Sequence, residues 1–149
     1  MIRFALPAAV LFLAACGRNE GVVASDVKPT PALSTMESTP GDWSALGTLT
    51  GREPSDSGLL LHSPIVTDLD AMLGASAKPY REAMAPAGTL RREGGLLVSV
   101  SPVAGAYLVI DPRQHALAAG MRTPQGWRRW QTPASEIALP REVAALEPA

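Results

Sequence analysis

From Thr89 onward, apolar and polar residues alternate in five short runs: Thr89–Arg92, Leu96–Val100, Ala106–Ile110, His115–Met121 and Trp127–Gln131. A period of two is the spacing of a strand with two distinct faces. The runs are separated by Gly94-Gly95, Pro102 to Gly105, Asp111-Pro112 and Pro124-Gln125-Gly126, residue types that favour turns. Connections this short make consecutive strands antiparallel neighbours, so the pattern predicts a five-stranded meander. Tyr107, Leu108, Val109 and Ile110 leave no polar face, which places that strand centrally with cover on both sides.

Ahead of the meander the period changes. Ile65, Val66, Leu69, Met72 and Leu73 recur at helical spacing, with Asp68 and Asp70 outside the stripe. Ser63 is read as the N-cap, Pro64 as the first helical residue and Gly74 as the C-terminal stop. A second short helix is expected from Pro79 to Met84, burying Tyr80, Ala83 and Met84 and halted by Pro86. Leu46 to Thr50 is read as a short strand and Gly51 to Gly58 as a polar loop. A closing helix is expected at Arg141 to Leu146, entered through Pro140. Two helices before the meander and one after it are expected to cover one face, giving an α+β fold.

The ends of the chain change this picture. Arg3 and the apolar run Phe4 to Ala15 have the order of a secretion signal. At twelve residues the run is too short for a bilayer span, which needs about 20. It ends in Leu13-Ala14-Ala15-Cys16, which resembles the bacterial lipobox. That resemblance implies cleavage before Cys16, acyl chains on its sulfur, and a third chain on the new N-terminus. More than one chain is what stable attachment requires. Small residues also precede ordinary cleavage sites, which would leave Cys16 free. Its place as the only cysteine of 149 residues, directly after that motif, favours the lipid.

Positions 17 to 41 are rich in Ser, Thr, Pro, Gly and Ala and read as a flexible tether. The expected organisation is therefore signal peptide 1–15, lipidated N-terminus and tether 16–41, and one domain over 42–149. With Gly17 after the cysteine, the lipoprotein resemblance implies an outer-membrane protein facing the periplasm, with the inner membrane as the alternative. A lipidated Cys16 leaves no thiol for disulfides, metal sites or nucleophilic chemistry.

Charge and motifs then narrow the function classes. From Gly51 onward there are ten basic and ten acidic residues, which gives no reason to expect nucleic acid. Between Arg91 and Arg129, however, six arginines face only Glu93 and Asp111. His62 and His115 are the only imidazoles, read as a packing residue and a solvated strand end. No metal site or cofactor is expected from them. Asp68 and Asp70 point in different directions on a helix and read as charges favourable to its dipole. No nucleophile elbow, phosphate loop or H-E-x-x-H occurs, so no catalytic site is expected. An enzyme would need a pocket that gathers a histidine and a carboxylate.

Two places carry binding potential. In Trp127-Arg128-Arg129-Trp130, alternation puts Trp127 with Arg129 on one face and Arg128 with Trp130 on the other. One tryptophan is expected in the core and the other exposed beside an arginine, the residue types of binding hot spots. Cross-strand packing with a cation–π contact explains the same residues. The second place is Ser101-Pro102-Val103-Ala104-Gly105, a rigid projecting connection or simply a turn. Pro102, Val103, Arg128 and Trp130 are the candidate binding residues.

The stretch from Leu59 to about Leu146 resembles small Gram-negative periplasmic proteins related to Ivy-type inhibitors of vertebrate lysozyme. The resemblance rests on the helix with Asp68-Leu69 and Leu73-Gly74, the short helix holding Tyr80, and Leu96-Leu97-Val98-Ser99-Val100 entering a proline-containing loop. Ala106 to Asp111-Pro112, His115 to Met121 and the closing aromatic strand complete it. Those inhibitors plug a lysozyme cleft with that loop, which bears a histidine and an aspartate and is clamped by a disulfide. Here Val100 and Gly105 stand where the cysteines would be, and Val103 and Ala104 replace the polar pair. The resemblance therefore implies fold, compartment and a binding role. The expected function is a lipid-anchored, protein-binding module, an inhibitor or immunity protein whose partner is a peptidoglycan hydrolase. The alternative is a structural or assembly lipoprotein of the cell envelope.

Overall fold

The computed structural model describes residues 41–147. The expected signal, the Cys16 attachment point and all but the last residue of the tether lie outside the described residues. The first described element is a 3-10 helix, Ser44–Leu49, in place of the strand expected at Leu46 to Thr50. Local hydrogen bonds explain the difference. The Asp42 carboxylate accepts the Ser44 N–H at 2.9 Å, and the Thr48 and Thr50 hydroxyls donate to the carbonyls of Ala45 and Gly47 at 2.7 and 2.8 Å. Such bonds offer the backbone an alternative to a ladder. Trp43, Leu46 and Leu49 are spaced by three, the repeat of a 3-10 helix, so one face meets the core.

Helix α1 spans Val66–Leu73 and buries Leu69 and Leu73. Ser63 is not its cap. The Ser63 hydroxyl donates to the Leu59 carbonyl at 2.6 Å, because the preceding chain is already wound in turns that bury Leu59 and Leu60. Gly74, at φ 55°, ends α1 as expected. After one short 3-10 turn, α2 spans Ala77–Met84 and buries Tyr80 and Met84, while Ala83 is half-buried. It begins two residues before the expected Pro79, which sits in the first turn, where a missing N–H costs nothing.

Five strands follow: β1 Arg91–Glu93, β2 Leu96–Ser101, β3 Ala106–Asp111, β4 Ala116–Thr123 and β5 Gly126–Gln131. They form one antiparallel sheet in the order β1-β2-β3-β4-β5. The meander read from the alternation is the meander observed, and β3 is buried on both faces. On one face Ala106, Leu108 and Ile110 join Leu97, Leu117, Ala119 and Met121 under α1, α2 and Trp43. On the other, Tyr107 and Val109 join Val98, Ala116 and Ala118 under Ile137 and Val143. His115 precedes β4 in the turn, at φ 49°.

The last helix, α3, spans Arg141–Leu146 behind Pro140. The expectation that it shares the face covered by α1 and α2 is corrected: it packs on the opposite one. The reason lies in β4. Its residues on that face are Ala116, Ala118 and Gly120, and their small side chains leave a trough that α3, Tyr107 and Trp127 fill. Ion pairs mark both ends of the helix. Glu142 pairs with Arg91 of β1, and Glu147, just beyond α3, pairs with Arg129 of β5. Burying Val143 and Ile137 contributes about 1.5–3 kcal/mol each, whereas an exposed ion pair contributes about 0–1 kcal/mol. Burial holds α3 down, and the ion pairs orient it across the two edge strands.

The two pairs are not equivalent. The Glu147 side chain is only 4% exposed, against 33% for Glu142. Removing Arg129 strands a buried carboxylate, which is costly. Arg129→Ala is expected to lower the denaturation midpoint more than Arg91→Ala, and equal midpoints would refute this reading of α3.

Candidate binding surface

The β2–β3 connection projects from one end of the sheet. Its strands close at the pair Ser101 and Ala106. Gly105, at φ 62°, occupies a left-handed conformation, and its carbonyl accepts the Arg122 N–H at 2.7 Å. A side chain there would meet Arg122 Cβ at 3.1 Å. Pro102 fixes its own φ, so the loop is constrained at both ends. Val103 between them is 93% exposed, and Leu61, at 58%, is the other exposed large apolar residue among those described.

Strand register places the remaining candidates. Ser101, Ala106, Met121 and Arg128 form one cross-strand row, and Ser99, Leu108, Ala119 and Trp130 form the next one inward on the same face. Pro102, Val103 and Arg128 therefore share one end of the sheet, with β3 and β5 two strand spacings apart, about 10 Å. Arg122, absent from the sequence-based candidates, lies against the loop on the other face. Among the described residues neither Arg122 nor Arg128 has an ion-pair partner. The local excess of arginines is thus drawn down at Arg91 and Arg129 and left at Arg92, Arg113, Arg122 and Arg128, of which Arg122 lies against the loop.

The expected exposed tryptophan is not found. Trp127 and Trp130 occupy opposite faces as alternation requires, but both are half-buried because both faces are covered. Trp130 meets Tyr80 edge-on at 6.2 Å, and Arg128 lies 5.2 Å from the Trp130 ring centre, the packing alternative that the sequence leaves open. Trp127 lies against Tyr107 at 6.2 Å. Beside it, Glu147 holds Arg129 above the usual guanidinium range through a hydrogen bond and its charge.

A second concave feature lies at the opposite end of the sheet. Asp68, Ala71, Met72, His115, Thr132 and Pro133 line a cleft of about 320 Å³. It brings together a histidine and a carboxylate that the sequence gives no reason to pair. No hydrogen bond joins them, and the Thr132 hydroxyl accepts the Leu117 N–H at 2.8 Å. No group of three His, Cys, Asp or Glu side chains suited to a metal occurs among the described residues. No helix among them is long and apolar enough to cross a membrane.

The two non-glycine residues with positive φ among those described are His115 of this cleft, at 49°, and Ala134, at 59°, which follows its Pro133 in the chain. Ala134 sits in the turn Thr132-Pro133-Ala134-Ser135, closed by the Ser135 N–H to Thr132 carbonyl bond at 3.2 Å. A left-handed residue costs about 1–2 kcal/mol, and glycine returns part of that as unfolded-state entropy. Ala134→Gly is therefore expected to stabilise the protein by about 0.5–1 kcal/mol in chemical denaturation, and any loss of stability would contradict the strain. No protein family, curated protein or solved structure matches the chain.

Proposed function

We propose that the chain is a lipid-anchored periplasmic protein-binding module that inhibits, or gives immunity against, a cell-wall-degrading enzyme. The observation that supports this most is Val103. A nearly fully exposed apolar side chain on a loop pinned by Pro102 and Gly105, with Arg122 against the loop and Arg128 at the same end of the sheet, is a convex probe suited to an enzyme cleft. The rigid loop loses little entropy on binding, and the neighbouring arginines favour an acidic rim. The sequence before Gly17, which resembles a lipobox, supplies the anchor, and the resemblance of the folded part to lysozyme-inhibitor relatives supports the class of partner. The histidine and aspartate of that family's loop are missing, so the enzyme engaged differs from vertebrate lysozyme.

The test is inhibition of purified peptidoglycan hydrolases by the full chain, with Val103→Asp as the key variant. It places a carboxylate at an exposed turn, so stability is expected to stay within about 0.5 kcal/mol. Inhibition is expected to fall by tenfold or more, since a central hot spot carries at least about 2 kcal/mol. Inhibition that survives Val103→Asp excludes the loop. A permeability defect of the deletion strain in pure culture, with no hydrolase inhibited, supports the structural lipoprotein instead.

A further inference from the structure

The cleft at the end of the sheet opposite Val103 has a chemistry that the protein-binding reading does not use. Its polar groups are the Asp68 carboxylate, the His115 imidazole and the Thr132 hydroxyl, and its apolar wall is Ala71, Met72 and Pro133. Asp68 comes from α1, His115 from the β3–β4 turn and Thr132 from the end of β5, so three separate elements converge on it. Neither lysine nor arginine lines it.

The backbone around this cleft is held in a costly form. His115 occupies a left-handed position at the end of a tight turn, which glycine fills most readily. The Asp111 carboxylate secures that turn by accepting the N–H groups of Arg113 and Gln114 at 2.9 and 3.1 Å. The imidazole is then stacked on the buried Trp43 ring, 5.1 Å between centres. Ala134, next to Pro133 of the wall, is left-handed as well. Strain of this kind collects at ligand sites. Here it holds the His115 ring between the Trp43 stack and the cleft it lines.

From this geometry we infer that the cleft binds a primary alkylammonium group, with Asp68, His115 and Thr132 accepting its three N–H bonds and Ala71, Met72 and Pro133 packing its apolar stem. A primary ammonium carries three donors and no acceptor, which matches three acceptor-bearing side chains lining one cleft. Thr132 Oγ1 receives the Leu117 N–H on one lone pair and keeps the other. At about 320 Å³ the cleft lies at the small end of ligand sites, a size suited to an amine of side-chain length. Such an amine has two sources, a free small molecule or a lysine side chain of another protein.

The full chain in neutral detergent, titrated with butylammonium and followed through the imidazole and indole resonances of His115 and Trp43, tests this. Saturable shifts are expected with a dissociation constant of roughly 1 mM, well within the ceiling for so few atoms. Butanol and butyltrimethylammonium, which lack the charge or the N–H donors, are expected to produce no saturable shift. Asp68→Asn is expected to weaken binding by about tenfold or more. Ala71→Leu, an exposed helical position that tolerates leucine, is expected to block the cleft without loss of fold. A lysine-containing peptide separates the sources. Tighter binding than butylammonium assigns the cleft to a partner's lysine, and equal binding assigns it to free amines. Shifts that do not saturate, that butanol reproduces, or that survive either variant overturn the proposal. Loss of hydrolase inhibition in Val103→Asp with amine binding intact keeps the two sites distinct.

Discussion

Raising the pH above about 10 is expected to unfold this protein along a steep slope, because both of its tyrosines are locked in the protonated form. Tyr80 and Tyr107 are buried. Burial pushes both hydroxyls well above their ordinary value of 10.0, and at Tyr107 the charge and hydrogen bond of Glu147 push further. Tyr80 also donates to the Tyr107 carbonyl at 2.7 Å. Below pH 10 both states carry both protons, and the stabilisation is complete. Above it the unfolded chain releases two protons that the native state retains, so stability falls as pH rises towards the folded values. Two groups give a slope of about 2.7 kcal/mol per pH unit. A stability in the lower part of the usual range, about 5–8 kcal/mol, is then exhausted within about two to three pH units. Tyrosinate absorbance is expected to appear together with the loss of circular dichroism, and Tyr107→Phe to halve the slope. Gradual tyrosinate formation in an intact fold would show that neither ring is locked.

The largest single-site effect is expected at Gly120. A Cβ on this residue would lie 2.4, 2.6 and 2.8 Å from Cε1, Cζ and Oη of Tyr107, its cross-strand partner in β3. Neither side can yield. The ring is wedged beneath Trp127 and the α3 segment, and Gly120 is backbone in a strand paired on both sides. Overpacking of this kind costs up to about 3 kcal/mol, so Gly120→Ala is expected to lower Tm by roughly 10–20 °C. In a Tyr107→Val background the ring is gone, and the same substitution is expected to cost less than about 1 kcal/mol. An equal cost in both backgrounds would mean that the glycine is needed for some other reason.

The elements are legible in the sequence where their cause is local. Turn residues bound each strand, and alternation sets which residues share a face, so the meander follows from neighbouring positions alone. Gly74 and Pro86 mark the helix ends for the same reason. Errors arise where two local rules compete. Leu46 and Leu49 between glycines have the pattern of a strand, but Asp42, Thr48 and Thr50 bond the backbone into a 3-10 turn. Ser63 has the residue type of a cap, but its hydroxyl is committed to Leu59.

The candidate surface divides along the same line. Pro102 and Val103 are readable because a Pro-to-Gly connection between strands must project. The fate of Trp130 is not, since its exposure depends on whether α2 covers that face. Asp68 and His115 give no sign of sharing a cleft, because one belongs to a helix before the sheet and the other to a turn within it.

By itself the sequence determined the strand order, the antiparallel pairing and which strand residues share a face, since period and turn chemistry act over a few neighbouring positions. Only the tertiary structure decided which helices cover which face, that both tryptophans are half-buried, and which carboxylate meets which imidazole. Those outcomes depend on the path of Thr132 to Pro140 across the sheet and on the trough left by Ala116, Ala118 and Gly120. Contacts between distant segments follow from volume and register across the whole fold, which no local pattern contains.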